Sequence, residues 1–442
     1  MTELYHLTGT QARDRIRDGK VTVEEYARSL LTRIQERDPL IHAWAYLNPE
    51  RVIQQAKALD QISPENRGPL HGIAIGIKDV VLTKDMPTGY NSAIYKDAPS
   101  ANVDAAAVLT LRAAGALIVG KTATTEFAAS SEGGPCTNPH SPEHTPGGSS
   151  SGSGAAVADF QIPIALGTQT GGSMIRPGSF NAVYAFKPTW NAISRDGVSH
   201  FSVTCDTVGF FTRSVADLDL LASVFDLADD IPIPRSPFAV DKAKIAVAKT
   251  HVWPKAGPGL QAAWERAQAL LVSHGAEVEE IELPENFSKL KEWHETILAG
   301  EGRASFRGNY LLSKDKLAPR VVGYVENKPS VSRRSLLDSY DGCAQLRPLW
   351  DNIVRQYDAV IVPSTVDEAP LGLAYTGDSS FCSMWTLLHA PCLNVPGFVG
   401  EKGLPLGLTI VGARYHDVHV LRAGKEIGAI FSSEGGFVSQ IQ

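Results

Sequence analysis

HGIAIGIKDVV, residues 71–81, is almost unbroken in apolar character until a lysine and an aspartate near its end. A run so short and so apolar suits a strand buried on both faces, the habit of parallel sheets covered by helices. Downstream, DAAAVLTLRAAG at 104–115 has helical spacing and leads into ALIVG at 116–120, a second such strand. QIPIALGT at 161–168, KIAVAKT at 244–250 and DAVIVPST at 358–365 repeat the theme. Helix and strand alternating across short links predict an α/β fold, with a central mixed, largely parallel twisted sheet covered by helices on both faces.

Working outward, residues 1 to about 60 read as helices, with Thr8 as a cap and Ala27, Leu30, Leu31 and Ile34 recurring at three and four residues. Helical segments are also expected near 258–273 and 335–356. The chain has 442 residues, 43% hydrophobic and 20% charged, with 39 Gly and 27 Pro, the profile of a loop-rich globular enzyme. No linker splits it, so one domain is expected over 1–442. Within it lies a helical segment at 1–60.

A formal charge of −7 gives no general reason to bind nucleic acid. The N-terminal stretch is charged and amphipathic rather than signal-like, and no apolar run reaches the roughly 18 residues of a membrane span. Five scattered cysteines (Cys136, Cys205, Cys343, Cys382, Cys392) lack metal-site spacing and read as packed thiols in a reducing compartment. The expectation is a soluble, cytoplasmic protein with no metal, no cofactor, no nucleic-acid partner and no membrane partner.

Three familiar patterns fail on physical grounds. GALIVGKT at 115–122 fits the phosphate-loop expression, but Ala, Leu, Ile and Val favour a strand where that loop must stay irregular. Gly148-Ser149-Ser150-Ser151-Gly152 fits the nucleophile elbow, yet CTNPHSPEHTPG before it cannot be the buried strand an elbow follows. His140 and His144 flank Glu143, but Pro142 and Pro146 oppose the helix that would align the rings; His416 and His419 lack a third ligand nearby.

Three features remain. Lys78 ends the first strand; if it stays inside, desolvation favours a neutral amine able to act as a base, whereas a lysine turned outward would be ordinary. Pro146-Gly-Gly-Ser-Ser-Ser-Gly-Ser-Gly154 has a linker's composition but lies between apolar segments and runs into a helix start. Gly167-Thr-Gln-Thr-Gly-Gly-Ser173 follows a strand, and could be a plain turn or aim consecutive amides at one point.

Together these segments resemble the amidase signature family. The likeness spans most of the chain: GIKDV at 76–80, GKTATTEFA at 120–128, NPHSPEHTPGGSSSGSGAAVA at 138–158, GTQTGGS at 167–173, FKPTW at 186–190 and DTVGFFTRSVADLDLL at 206–221. It continues in WTLLHAPCLNVPG and GLPLGLTIVG near the C-terminus. The resemblance implies a Ser-cisSer-Lys triad: Ser173 as nucleophile, Ser149 as the bridging serine after a cis peptide bond, and Lys78 as base. The amides of Thr170, Gly171, Gly172 and Ser173 would form the oxyanion hole, with Ser150 supporting the loop. The resemblance also implies a catalytic core at 70–225, a variable substrate-side region at 226–356 and a C-terminal return to the sheet at 357–442. The chemistry implied is hydrolysis of a carboxamide-type C–N bond in a small amide, anilide, carbamate or related ester through a seryl acyl-enzyme.

Two positions depart from the family pattern. Many members carry Asp four residues before the nucleophile and Arg two after it; this chain has Gln169 and Arg176, four before and three after. Arg176 is therefore free either to bind a substrate carboxylate or to brace the loop. Thr125, Phe127 and Trp385 are candidates to line the substrate pocket, or core residues. Two other functions compete with a stand-alone hydrolase: a glutamine-hydrolysing amidotransferase-type subunit needing a protein partner, and a non-catalytic binding member of the fold. Self-association as a homodimer stays open.

Overall fold

The computed structural model describes residues 3–230 and 238–441, so a short piece of the expected substrate-side region lies outside the described residues. Eleven strands form one sheet. In chain order they are β1 (Trp44–Leu47), β2 (Ala74–Lys78), β3 (Leu117–Thr122), β4 (Ile164–Gln169), β5 (Tyr184–Lys187), β6 (Thr207–Thr212), β7 (Lys244–Val247), β8 (Glu277–Glu280), β9 (Ala359–Pro363), β10 (Cys392–Val399) and β11 (Pro405–Val411). Their order across the sheet is β1-β3-β2-β4-β6-β5-β10-β11-β9-β7-β8.

Parallel pairing occurs in two runs, β3-β2-β4 and β9-β7-β8. These contain the strands whose continuous apolar runs mark them in the sequence. The strands between the runs, β6, β5, β10 and β11, pair antiparallel, as does the edge strand β1 on β3. β1 falls inside the segment expected to be wholly helical. Its four residues are mostly half-exposed, so they carry no buried-strand signature.

The helices are α1 (Gly9–Arg17), α2 (Val23–Ile41), α3 (Pro49–Asp60), α4 (Ala106–Ala113), α5 (Ser151–Ala158), α6 (Ile175–Phe180) and α7 (Val215–Val224). After them come α8 (Pro258–Ser273), α9 (Leu290–Ser305), α10 (Arg307–Ser313), α11 (Pro319–Val325), α12 (Arg333–Val354), α13 (Ser380–Leu387) and α14 (Asp417–Glu434). Thr8 caps α1 as expected, its hydroxyl accepting from the Gln11 amide while the Gln11 side chain returns to Thr8 N.

Alternate strand residues sort these helices onto two faces. Ile118, Ile164, Leu166, Ile245 and Ile361 join α4, α7, α8 and α14 in one core that runs the length of the sheet. Their neighbours face the other way: Leu117, Val119 and Ala165 meet α1, α2, α3 and α5, while Val360 and Val362 meet α9, α11, α12 and α13. This is a single α/β domain with helices on both faces.

The GGSSSGSG segment is no linker. All eight residues of α5 are buried, and a Cβ on Gly152 would lie 2.1 Å from the Ala43 carbonyl oxygen and 2.4 Å from the Ala123 nitrogen. Glycine lets the α5 backbone come this close to the chain beside β3.

Candidate active site

β2 and β4 run parallel and side by side, so the end of β2 at Lys78 and the end of β4 at Thr168 and Gln169 lie together. That is where an open α/β sheet leaves room for a ligand. Lys78 is fully buried. Its Nζ lies 2.7 Å from Ser149 Oγ, 2.9 Å from Ser150 Oγ and 2.8 Å from Thr168 Oγ1. The peptide bond between Gly148 and Ser149 is cis, as the resemblance implies.

Charge separates this lysine from a second buried one on the adjacent strand. Lys121 Nζ pairs with Asp79 at 3.2 Å, and burial brings its pKa down to about 8. Lys78 has no carboxylate within 4.0 Å among the described residues, and burial carries its pKa well below the ordinary lysine value, opposed by the more distant charge of Asp206. Proton counting fits both charge states: an ammonium would donate to all three hydroxyls, and a neutral amine would donate to two and accept from the third. Ser150 Oγ donates its one proton to the Thr168 carbonyl at 3.1 Å, so it can only accept from Lys78. A neutral amine has two N–H bonds, suited to Ser150 and Thr168 Oγ1, and one lone pair left for the Ser149 hydroxyl.

Ser173 sits in the turn between β4 and α6, and its carbonyl accepts from the Ser150 amide at 3.3 Å. Among the described residues no protein acceptor faces the amides of Gly171, Gly172 or Ser173. Asp206 fixes the start of this turn by accepting from Thr170 Oγ1 at 2.6 Å. Ser149, Thr170, Gly171, Gly172, Ser173 and Arg176 all line one cavity of about 610 Å³.

The cavity wall is built from neighbours of the residues singled out. Ala128–Ser131 line it in place of Thr125 and Phe127, and Ser379, Ser380 and Ser383 in place of Trp385. Trp385 is buried against Trp350, with ring centroids 4.7 Å apart. Phe127 is buried against Tyr90 and Phe306, each at 5.8 Å between centroids. Thr125 is buried, and its amide donates to the Ser149 carbonyl at 3.3 Å, behind the loop rather than in the cavity. These are corrections: large apolar groups went to the core, leaving small and polar neighbours on the wall.

Both departures from the family pattern have a structural counterpart. Gln169 Oε1 accepts from the amides of Met174 and Ile175 at 2.9 and 3.0 Å, while its Nε2 donates to Thr386 Oγ1 at 3.0 Å. A carboxylate could accept from those amides but could not donate to Thr386. Arg176 uses one terminal nitrogen to donate to the Gly148 carbonyl and, at 3.3 Å, to Thr376 Oγ1. Its Nε is buried without a partner, and no carboxylate pairs with it among the described residues.

The phosphate-loop and histidine patterns stay outside this site, whereas the Gly148–Gly152 segment is part of it without being an elbow after a strand. Residues 117–122 are strand β3; His140 and His144 contact the Asn181 carbonyl and Ser141 Oγ respectively. His416 and His419 bind Asp230 and the Asp358 carbonyl. All five cysteines are free and buried. Among the described residues no cluster of His, Cys, Asp or Glu could hold a metal ion, and no helix is long and apolar enough to cross a membrane.

Comparison with known proteins agrees with the fold and the motifs. The family model described as Amidase matches residues 25–421. This chain belongs to the amidase signature family and is an enzyme of the amide C–N hydrolase class. It is 33% identical to a glutamyl-tRNA(Gln) amidotransferase subunit of Symbiobacterium thermophilum, across 91% of this chain and 92% of the relative. Among solved structures it is similar to one described as an amidase, with a TM-score of 0.86 and 28% identity over 96% of this chain and all of the other. It also resembles the peptide amidase of Stenotrophomonas maltophilia, with a TM-score of 0.80 and 26% identity over 98% and 99% of the two chains.

Proposed function

We propose that this chain hydrolyses a small amide, anilide, carbamate or related ester, with Ser173 as nucleophile, Ser149 as proton bridge and Lys78 as base. The observation that carries the reading is the Lys78 environment: a buried amine without an acid partner, 2.7 Å from Ser149 Oγ. Lys78 takes the Ser149 proton as Ser149 takes that of Ser173, and the Ser173 oxygen forms a bond to the substrate carbonyl carbon. The negative charge that develops on the carbonyl oxygen is met by the free amides of the 170–173 turn. The proton returns through Ser149 to the leaving amine as the C–N bond breaks, and water then hydrolyses the acyl-serine.

The cavity wall favours an anionic substrate. Arg176, Arg320, Lys291 and Lys328 line it, against one lining acid, Glu295. Lys291 engages Glu295 at 2.8 Å and Lys328 lies 3.8 Å from Glu326, which leaves the two arginines without a carboxylate among the described residues. Arg320 donates to Tyr324 Oη at 2.8 Å and has no carboxylate partner among the described residues. Arg176 thus serves two ends in this reading: it braces the Gly148 carbonyl and offers its remaining donors to a substrate carboxylate.

A hydrolysis screen spanning dicarboxylic monoamides, neutral amides, anilides and carbamates tests the proposal, with Ser173→Ala as control. Turnover best with the monoamides and absent in the control is expected; turnover surviving in Ser173→Ala refutes it.

The similarity to tRNA-dependent amidotransferase components supports a second reading, glutamine hydrolysis within a larger assembly. Gln169 and Arg176, where many members have Asp and a differently placed Arg, count against it. Full activity of the chain purified alone as a single species excludes it.

A further inference from the structure

We propose that His294 and Thr386 are positioning residues that set the direction of the oxyanion-binding amides, a role that rests on the hydrolase reading above. The two reach the 170–173 turn out of helices far away in sequence, His294 from the cavity wall and Thr386 from outside the lining. His294, on α9, is buried, and its Nε2 lies 2.9 Å from the Thr170 carbonyl oxygen. Because a carbonyl only accepts, Nε2 carries the proton and donates. Thr386, on α13, donates through Oγ1 to the Gly171 carbonyl at 2.7 Å, and itself accepts from Gln169 Nε2.

Peptide planarity turns these two bonds into a directional device. In a trans peptide the C=O of one residue and the N–H of the next point opposite ways. Holding the Thr170 carbonyl toward His294 sends the Gly171 amide away from it, and holding the Gly171 carbonyl toward Thr386 does the same for the Gly172 amide. These are amides with no protein acceptor among the described residues. Close packing leaves the turn little room to rotate back. A Cβ on Gly171 would stand 3.3 Å from His294 Cε1, and one on Gly172 would stand 2.9 Å from Ser379 Cβ and 3.0 Å from Cys382 Sγ.

α9 is itself held to the loop that carries Asp206. Glu301, two turns beyond His294, accepts from the Ser202 hydroxyl, from the Thr204 amide at 3.2 Å and from Thr204 Oγ1 at 2.5 Å. Asp206 in turn accepts from Thr170 Oγ1 and from the amides of Phe201 and Ser202. The helix supplying His294 and the turn receiving its proton are therefore tied to one short loop. A preorganised donor pair of this kind costs no reorientation when negative charge develops.

The test uses a fluorophosphonate probe, in which Ser173 Oγ would bond to phosphorus as fluoride leaves and the serine proton passes to Ser149. His294→Phe keeps the ring and removes the donor; the maximal labelling rate should fall about 10–100-fold, with the half-saturating probe concentration changed less than about threefold. His294→Gln, which restores an N–H near the same place, should recover to within about fivefold of the parent. Thr386→Val, which keeps the shape and loses the hydroxyl, should slow labelling in the same manner, and decides the matter if His294→Phe does not fold. Parent-like maximal rates in both donor-less variants overturn the positioning role while labelling lost in Ser173→Ala leaves the hydrolase reading intact. Labelling that persists in Ser173→Ala removes the hydrolase reading, and the positioning role with it.

Discussion

Lys78 Nζ and Ser149 Oγ are 2.7 Å apart in an interior where Lys78 faces hydroxyls and a carbonyl but no carboxylate. Substitution of the lysine tests what that contact does. Lys78→Met keeps much of the volume without a proton acceptor and should lower kcat by about 10²–10⁴-fold. Lys78→Arg stays protonated and should not recover activity at any pH up to about 10. Steady-state kinetics on both variants read the effect directly.

Burial lowers the Lys78 pKa, and in the proposed mechanism the neutral amine is the active form. kcat/KM should therefore rise with pH through that lowered value and then level off, rather than fall, at alkaline pH. An activity maximum on the acid side would contradict a lysine base.

Arg176 and Arg320 divide the work differently. Arg176→Ala should raise KM for carboxylate-bearing amides and also lower kcat for neutral ones, because the Gly148 carbonyl loses its charged donor. Arg320→Ala should raise KM for the anionic substrates alone, by about 10-fold, since its hydrogen bond and cation–π contact among the described residues are with the Tyr324 hydroxyl and ring.

Gln169 is fully buried, and its amide both donates and accepts. Gln169→Glu places a charge there and leaves Thr386 Oγ1 without its donor, so a loss of about 3 kcal/mol in unfolding free energy is expected by chemical denaturation. Activity should fall with it, because Thr386 loses its fixed direction.

His389 should govern part of the acid sensitivity of the fold. Its ring stacks on Trp190 at 4.3 Å, its Nε2 donates to the Thr204 carbonyl at 2.8 Å, and burial, aided by the charge of Arg347, takes its pKa from 6.5 down to about 3. The unfolded chain then binds more protons than the folded one between pH 6.5 and about 3, so stability falls as pH drops through that window. At pH 5 the loss from this one group is about 2 kcal/mol relative to pH 7. His389→Gln should flatten the decline in Tm between pH 7 and 5; an unchanged slope would mean that another group carries it.

The parts of this architecture legible in the sequence are those with a strong local signature. β2, β3, β4, β7 and β9 are buried apolar runs, and each is readable from residue type alone. β10 is equally buried, but its Pro396 and Gly397 read as a loop, and they fall where the pairing with β11 shifts register. The Lys78, Ser149 and Ser173 set is legible through resemblance, because long ordered motifs carry it. His294 and Thr386 are not, since a single histidine or threonine on an ordinary helix has no pattern until folding brings it to a carbonyl. The pocket lining fails for a related reason: sequence locates the segments near Phe127 and Trp385, but packing decides which side of each segment faces the cavity.

The central claim is that Ser173 is the nucleophile. Treating the protein with a fluorophosphonate, digesting it and locating the adduct by mass spectrometry tests this most directly. The account predicts one adduct per chain, on Ser173, slowed by Lys78→Met and absent in Ser173→Ala. An adduct on Ser149, on Ser150 or on a cysteine, or one that persists in Ser173→Ala, would contradict it.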